Sequence, residues 1–249
     1  MSDFDSLAWL DAAAPHEPAR SAAQIRGVRL LAGSAPKRIV DLGCGTGRVL
    51  GPLAEAGHEV VGIDCDQRAL AHCEDDIASR RVNDRVQLVQ GDFVNDWPPA
   101  LTASPGDLIL CLGNTFMLLA DVRDALRVVR QAAATLKPGG LLLIDDIAHE
   151  FWPEVTEGYW QSGLSEDGAL QMVWADDDAV FTIRTGEAVD EMCWHFTAND
   201  TRLRLWSMGA LGLLAAAGGL SAPAHLARAG LLVLRRPECP ADRLNDNPR

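Results

Sequence analysis

The chain of 249 residues is 48% hydrophobic and carries 22 Lys and Arg against 35 Asp and Glu, a formal charge of −13. That length can bury one sizeable core, and the acidic balance argues against nucleic acid, whose phosphates need clustered Lys and Arg. The longest apolar run, residues 209–220, is too short and glycine-rich to span a bilayer, so no membrane partner is expected.

Six cysteines (Cys44, Cys65, Cys73, Cys111, Cys193 and Cys239) show neither paired spacing nor a Cys/His cluster. This points away from zinc and towards a reduced, cytoplasmic setting. Residues 1–14 hold Asp3, Asp5 and Asp11 and no basic stretch, unlike a signal peptide.

In chain order, residues 1–34 read as two helices forming an N-terminal cap. The second spans 19–32, with Ile25, Val28, Leu31 and Ala32 on one face. A buried strand then runs from Ile39 into Asp41-Leu42-Gly43-Cys44-Gly45-Thr46-Gly47-Arg48. A dinucleotide fingerprint would need Gly or Ala where Arg48 stands. A helix over 49–56 ends at Gly57, and a second strand, 59–64, ends in Asp64. An acid there, about 20 residues past the glycines, suits ribose hydroxyls. Asp66 reads as the N-cap of a helix over 67–78, with a ribose role as the weaker alternative. A third strand, 86–89, ends in Gln90-Gly91-Asp92-Phe93, and a fourth, 107–112, runs into Gly113-Asn114-Thr115-Phe116. A helix from Asp121 and the turn Lys137-Pro138-Gly139-Gly140 lead to a fifth strand, 141–144.

The acid-x-Gly-x-Gly-x-Gly spacing from Asp41 to Gly47 resembles the first motif of class I S-adenosylmethionine (SAM) methyltransferases, and the later segments agree. The resemblance implies an α/β fold: a Rossmann-like, seven-stranded, mostly parallel sheet flanked by helices. It implies S-adenosyl-L-methionine as cofactor and S-adenosyl-L-homocysteine as product. The implied cofactor residues are Asp41, Gly43, Cys44, Gly45, Gly47, Asp64, Cys65, Asp92, Phe93, Leu112 and Asn114. Asp92 would accept from the adenine amine and the Phe93 N–H would donate to the ring. Arg20 or Arg26 could meet the methionyl carboxylate, although solvated arginines are the simpler reading.

Residues 35–147 are thus the expected SAM-binding core. The αβ rhythm breaks over 148–205, which reads as an antiparallel β-hairpin insertion on the acceptor side. Strands 170–174 and 179–184 flank Asp176-Asp177-Asp178, and strands 191–198 and 201–206 flank Asn199-Asp200. Residues 206–236 supply the last helix and a final strand pair, its last member antiparallel. Residues 237–249 read as a disordered tail.

The turn Cys111-Leu112-Gly113-Asn114-Thr115-Phe116 resembles that of the glycine/sarcosine N-methyltransferase-like small-molecule group. A small-molecule amine is therefore the leading acceptor. Asn114, Phe116, Trp152, Tyr159 and Trp160 are the substrate-side candidates, since aromatic faces attract cations. Trp174 and Trp194 read as packing the β-layer or meeting a homodimer partner. No metal is expected, because the fourth strand ends without the acid that a hard cation needs. Two alternatives stand: a metal-independent O-methyltransferase using His149 or His195 as catalytic base, and a non-catalytic SAM-binding protein.

Overall fold

The computed structural model describes residues 18–145 and 162–238. A seven-stranded sheet has the order β10-β11-β5-β4-β1-β2-β3. Its members are β1 (Arg38–Leu42), β2 (Glu59–Asp64), β3 (Val86–Gln90), β4 (Gly106–Cys111), β5 (Leu136–Asp145), β10 (Ala224–Leu226) and β11 (Leu231–Arg235). The pairs β1–β2, β1–β4, β2–β3 and β4–β5 are parallel. β11 runs antiparallel to β5, as expected of the last strand. The order reverses between β1 and β4, which opens a crevice at the carboxyl ends of those strands.

Buried apolar strands make this sheet the core: Ile39, Leu42, Ile63, Ile109, Leu110 and Leu143 are fully enclosed. Helices α1 (Pro18–Ala32), α2 (Leu50–Glu55) and α3 (Gln67–Arg80) pack with one cluster, α5 (Val122–Thr135) and α6 (Met208–Gly218) with the other; the short α4 spans Pro99–Ala103. Three helices are capped by an acid or a serine. Asp66, Asp121 and Ser207 accept from the backbone N–H groups of Arg68, Arg123 and Ala210.

β5 begins earlier than its apolar run suggested. Lys137 Nζ lies 2.8 Å from Asp107 Oδ2, and Gly139 N–H donates to Arg236. The Lys-Pro-Gly-Gly turn is thereby drawn into the ladder.

The insertion forms a separate four-stranded antiparallel sheet, β6-β7-β8-β9. These strands are Gly163–Leu164, Leu170–Trp174, Val180–Thr185 and Leu203–Arg204. The hairpin β7–β8 stands where the alternation placed it. The expected second hairpin does not form: residues 191–198 are irregular, and only Leu203–Arg204 pairs, with β8. Buried side chains replace the missing ladder. Arg184, 4% exposed, binds Asp200 through Nε and Nη2 and donates to the carbonyls of Cys193 and His195. Gln171 donates to the carbonyls of Asp190 and Cys193. This small layer packs Met172, Phe181, Ile183, Leu203 and Leu205 onto Met117, in the 3-10 turn Thr115–Leu118 that follows β4.

Candidate functional site

The glycine loop is held from behind by the second strand. Gly43 and Cys44 N–H donate to Ile63 O at 2.8 and 2.9 Å. Asp64 Oδ2 accepts from Gly45 N at 2.7 Å and Oδ1 accepts from Asp66 N at 2.9 Å. All three glycines have positive φ, but their surroundings differ. A Cβ on Gly43 would lie 2.5 Å from Thr115 Cγ2, and one on Gly47 would lie 2.4 Å from Cys73 Sγ. A Cβ on Gly45 would meet nothing within 4 Å. Gly43 and Gly47 are therefore packing requirements, and Gly45 alone faces open space.

Asp41, next to last in β1, is 3% exposed. Burial pushes its carboxyl up to about 7; Arg48 pulls it down, and the acids Asp64 and Asp145 push it further up. Asp41, Asp64 and Asp145 thus form one electronegative group at the carboxyl ends of β1, β2 and β5. Such a group suits a ligand carrying a sulfonium and an ammonium. The open space beside Gly45 is where a ligand can approach the loop backbone, next to Asp64.

Beside these acids, between β4 and β5, lies a cleft enclosing about 330 Å³ of empty space, part of it open solvent. Asn114, Phe116 and Met117 contribute one side, and Ile144 and Asp145 the strand end. Leu205, Trp206, Leu211 and Leu232 complete it. Trp206 stacks at a tilt on Phe116, ring centroids 5.5 Å apart, and its Nε1 donates to Phe116 O. Asn114 is 3% exposed and left-handed (φ 64°). Its Oδ1, like Asp145 Oδ1, is buried with no hydrogen-bond partner among the described residues. Unpaired buried oxygens are costly, so two in one cleft mark a place for a donor.

The remaining candidates are dispersed. Leu112 is buried and its carbonyl accepts from Thr115 Oγ1. Cys65 is exposed just past β2. Asp92 is exposed and caps its own turn, accepting from Val94 N, Asn95 N and Asn95 Nδ2. Partial burial raises its carboxyl, but those hydrogen bonds and Arg127 outweigh it and hold it below the usual range. Phe93 packs against the core. His195 is exposed on the 186–202 loop, with Cys193 Sγ 3.8 Å from its Nε2, and does not line the cleft. Trp174 stacks on Phe181, and Trp194 is 43% exposed. His149, Trp152, Tyr159 and Trp160 lie outside the described residues. Arg26 is exposed on α1; Arg48 Nη1 reaches Ser21 Oγ. Among the described residues no cluster of His, Cys, Asp and Glu could hold a metal, and no helix is long and apolar enough to cross a membrane.

Two cleft features escaped the sequence reading. Gln24 of α1, fully buried, donates from Nε2 to Asp145 Oδ2 at 2.6 Å. Trp206, the last residue of the expected strand 201–206, forms a wall. A polar residue on the apolar side of a helix was the available signal for Gln24.

Sheet order, glycine loop and strand-end acids together define a class I SAM-dependent methyltransferase fold. Residues 39–140 match the family described as "Methyltransferase domain". It is 36% identical over 110 residues to a cypemycin N-terminal methyltransferase of Streptomyces sp, covering 44% of this chain and 41% of that one. It is 26% identical to the glycine N-methyltransferase of Mus musculus, covering 57% and 53%. With the ubiquinone biosynthesis O-methyltransferase of Ralstonia nicotianae it shares 32% identity, covering 59% and 60%. The chain thus spans about half the length of the curated relatives it matches. A solved SAM-dependent methyltransferase of Clostridium acetobutylicum shares the fold at TM-score 0.67 and 16% identity, over 95% of this chain and 100% of that one.

Proposed function

We propose that this protein is a SAM-dependent methyltransferase whose acceptor is the nitrogen of a small amine. The observation that carries the reading is that Asn114 and Asp145, each with a buried side-chain oxygen that has no partner among the described residues, line a cleft otherwise walled by apolar and aromatic groups. An amine offers two or three N–H donors, and a hydroxyl offers one. The relatives' names divide between N- and O-methylation, so the reading leans on the chemistry of the cleft. No imidazole among the described residues lines it to take a hydroxyl proton.

The residues that would hold the cofactor are Asp41, Gly43, Cys44, Gly45 and Gly47 of the loop, with Asp64 towards the ribose. Bound there, S-adenosylmethionine supplies an electrophilic methyl group. Asp145, fixed by Gln24, and Asn114 accept from the amine N–H groups and so set the direction of its lone pair. Phe116 and Trp206 exclude water and favour a cationic amine by roughly 0.5–2 kcal/mol per ring. Positioning of this kind can supply roughly 7–11 kcal/mol of a barrier. The same carboxyl group can hold the proton that the nitrogen sheds.

The test is S-adenosylhomocysteine release across matched amines and phenols, with the methylated atom read by mass spectrometry. Amine products support the reading. Phenol methylation with amines inert would replace it by O-methylation, and SAM binding without any turnover would leave a non-catalytic binder.

A further inference from the structure

We infer that Cys44 and Cys73 form a redox-active dithiol, which a small hydroperoxide joins as a disulfide that shuts the SAM site. The inference concerns the cofactor loop and is independent of which acceptor is methylated.

The two residues come from different elements and meet behind one turn. Cys44 lies between Gly43 and Gly45 in the glycine loop and is 7% exposed; Cys73 lies in α3 and is fully buried. Gly47 N–H donates to Cys44 O at 3.0 Å. A Cβ on the same Gly47 would lie 2.4 Å from Cys73 Sγ, and one on Gly62 would lie 2.9 Å from Cys44 Sγ. Both side chains belong to one apolar cluster, and the Cys44 thiol donates to the Cys73 sulfur. The methyl-transfer chemistry uses neither thiol. An apolar side chain would fill either place, but only two sulfurs can bond across the contact.

The pair is polarised. The hydrogen bond from Cys44 holds the Cys73 thiol below its ordinary range, against burial and the acids Asp41, Asp76 and Glu74. The same bond, burial, and Asp41 and Asp64 push the Cys44 thiol up. Cys73 is therefore the sulfur that gives up its proton first, and the thiolate is the nucleophile. Its attack on the O–O bond of hydrogen peroxide forms a sulfenic acid, and the hydroxide released takes the Cys73 proton to become water. Cys44 sulfur then displaces the hydroxyl group, which leaves as a second water with the Cys44 proton. Two thiols lose two electrons and two protons, and one peroxide becomes two waters. Burial restricts the oxidant to something the size of hydrogen peroxide.

The cost falls on the loop. Cys73 is fixed within a helix, and a covalent S–S bond holds its sulfurs well inside non-bonded contact, so Cys44 must move towards α3. Its neighbours are held by short bonds: Gly43 and Cys44 N–H to Ile63 O, and Gly45 N–H to Asp64 Oδ2. Displacing Cys44 disturbs all three and the open side of Gly45. In a reducing compartment such a bond is transient, as redox-sensing disulfides are. By linkage, bound SAM resists disulfide formation to the degree that the disulfide weakens SAM.

The experiment treats the full chain with hydrogen peroxide, blocks remaining thiols by alkylation and maps unreduced peptides by mass spectrometry. Calorimetry then measures S-adenosylhomocysteine affinity for the reduced, oxidised and re-reduced chain. A Cys44–Cys73-linked peptide should appear, more slowly when S-adenosylhomocysteine saturates the chain. Affinity should fall by at least about tenfold on oxidation and return with dithiothreitol. Cys73→Ala should bind within about threefold of the parent both before and after peroxide. Absence of a Cys44–Cys73 link, or a linked chain that binds as the reduced one does, would overturn the inference. So would Cys73→Ala losing affinity in peroxide as the parent does, which would assign the effect to another thiol such as the exposed Cys65. If Cys73→Ala does not fold, the peptide map and the dithiothreitol reversal on the parent decide. A reduced chain that binds no S-adenosylhomocysteine would end the inference together with the SAM reading.

Discussion

Gln24 and Asp145, 121 residues apart, meet through a buried hydrogen bond of 2.6 Å from Nε2 to Oδ2. The bond fastens α1 to the carboxyl end of β5 and fixes which Asp145 oxygen remains for a ligand. The N-terminal helix thereby supports Asp145, a lining residue of the cleft. Replacing Gln24 by Leu should free the Asp145 carboxyl group to turn. We expect the acceptor KM to rise by about tenfold, kcat to change less, and SAM affinity to stay within about threefold. Loss of one buried hydrogen bond should also cost about 1–3 kcal/mol. A KM unchanged beside a lowered melting temperature would reduce Gln24 to a packing role.

The glycine loop separates binding from folding. Gly45→Ala should bind SAM at least about tenfold more weakly, because its Cβ enters the only open space among the three glycines, while the left-handed backbone adds about 1–2 kcal/mol. Gly47→Ala should instead cost mainly stability, since its Cβ meets Cys73 Sγ at 2.4 Å. Calorimetry and thermal melts on both variants check this; the opposite assignment would place the cofactor elsewhere.

Asp64 has two duties in the structure. Its oxygens hold Gly45 N–H and Asp66 N–H, so Asp64→Ala should lose ribose binding and loosen the loop together. SAM affinity should fall by at least about tenfold, at about 0.5–1.5 kcal/mol or more per lost bond. Unchanged affinity would transfer the ribose to Asp66, whose Oδ1 already caps α3.

The strands and the motif were legible because their signals are local. Residues 39–48 pass from a buried strand into three positive-φ glycines within one short window. The alternation of 170–184 around three aspartates spelled the β7–β8 hairpin. What escaped depends on distant partners. Gln24 sits among apolar neighbours on α1, and nothing near it in sequence points to Asp145. The stretch 191–198 carries strand-forming Trp194 and Phe196, yet the buried Arg184 guanidinium takes its carbonyls and Asp200, so no ladder forms. Cys111, by contrast, is fully buried, as a small apolar side chain within a central strand.

Asp41 predicts a pH dependence. Its carboxyl sits at about 7 in the folded chain against 3.8 ordinarily. The folded state keeps a proton that the unfolded chain releases near the lower value. The resulting stability is present in acid and is lost as pH rises through about 7. Asp41→Asn should therefore raise the melting temperature relative to the parent more at about pH 8.5 than at about pH 5. SAM affinity of the parent should weaken as pH falls below 7, because a cationic ligand prefers the ionised acid. A flat difference between the two melting curves would contradict the raised value.

The β-layer should depend on one ion pair. Arg184 and Asp200 have side chains 4% and 6% exposed. Breaking a buried pair by removing one partner costs about 3–5 kcal/mol. Arg184→Met should expose residues 186–202 to protease while SAM affinity stays within about threefold. Protection equal to the parent's would show that the loop does not rest on Arg184.

The most direct test of the central claim is a crystal structure of the chain with S-adenosylhomocysteine and tryptamine. The thioether sulfur should face the cleft between β4 and β5. The amine nitrogen should lie within hydrogen-bond distance of Asp145 Oδ1 and Asn114 Oδ1, and the indole against Phe116 and Trp206. An amine bound elsewhere, or the homocysteine tail occupying that cleft, would contradict it.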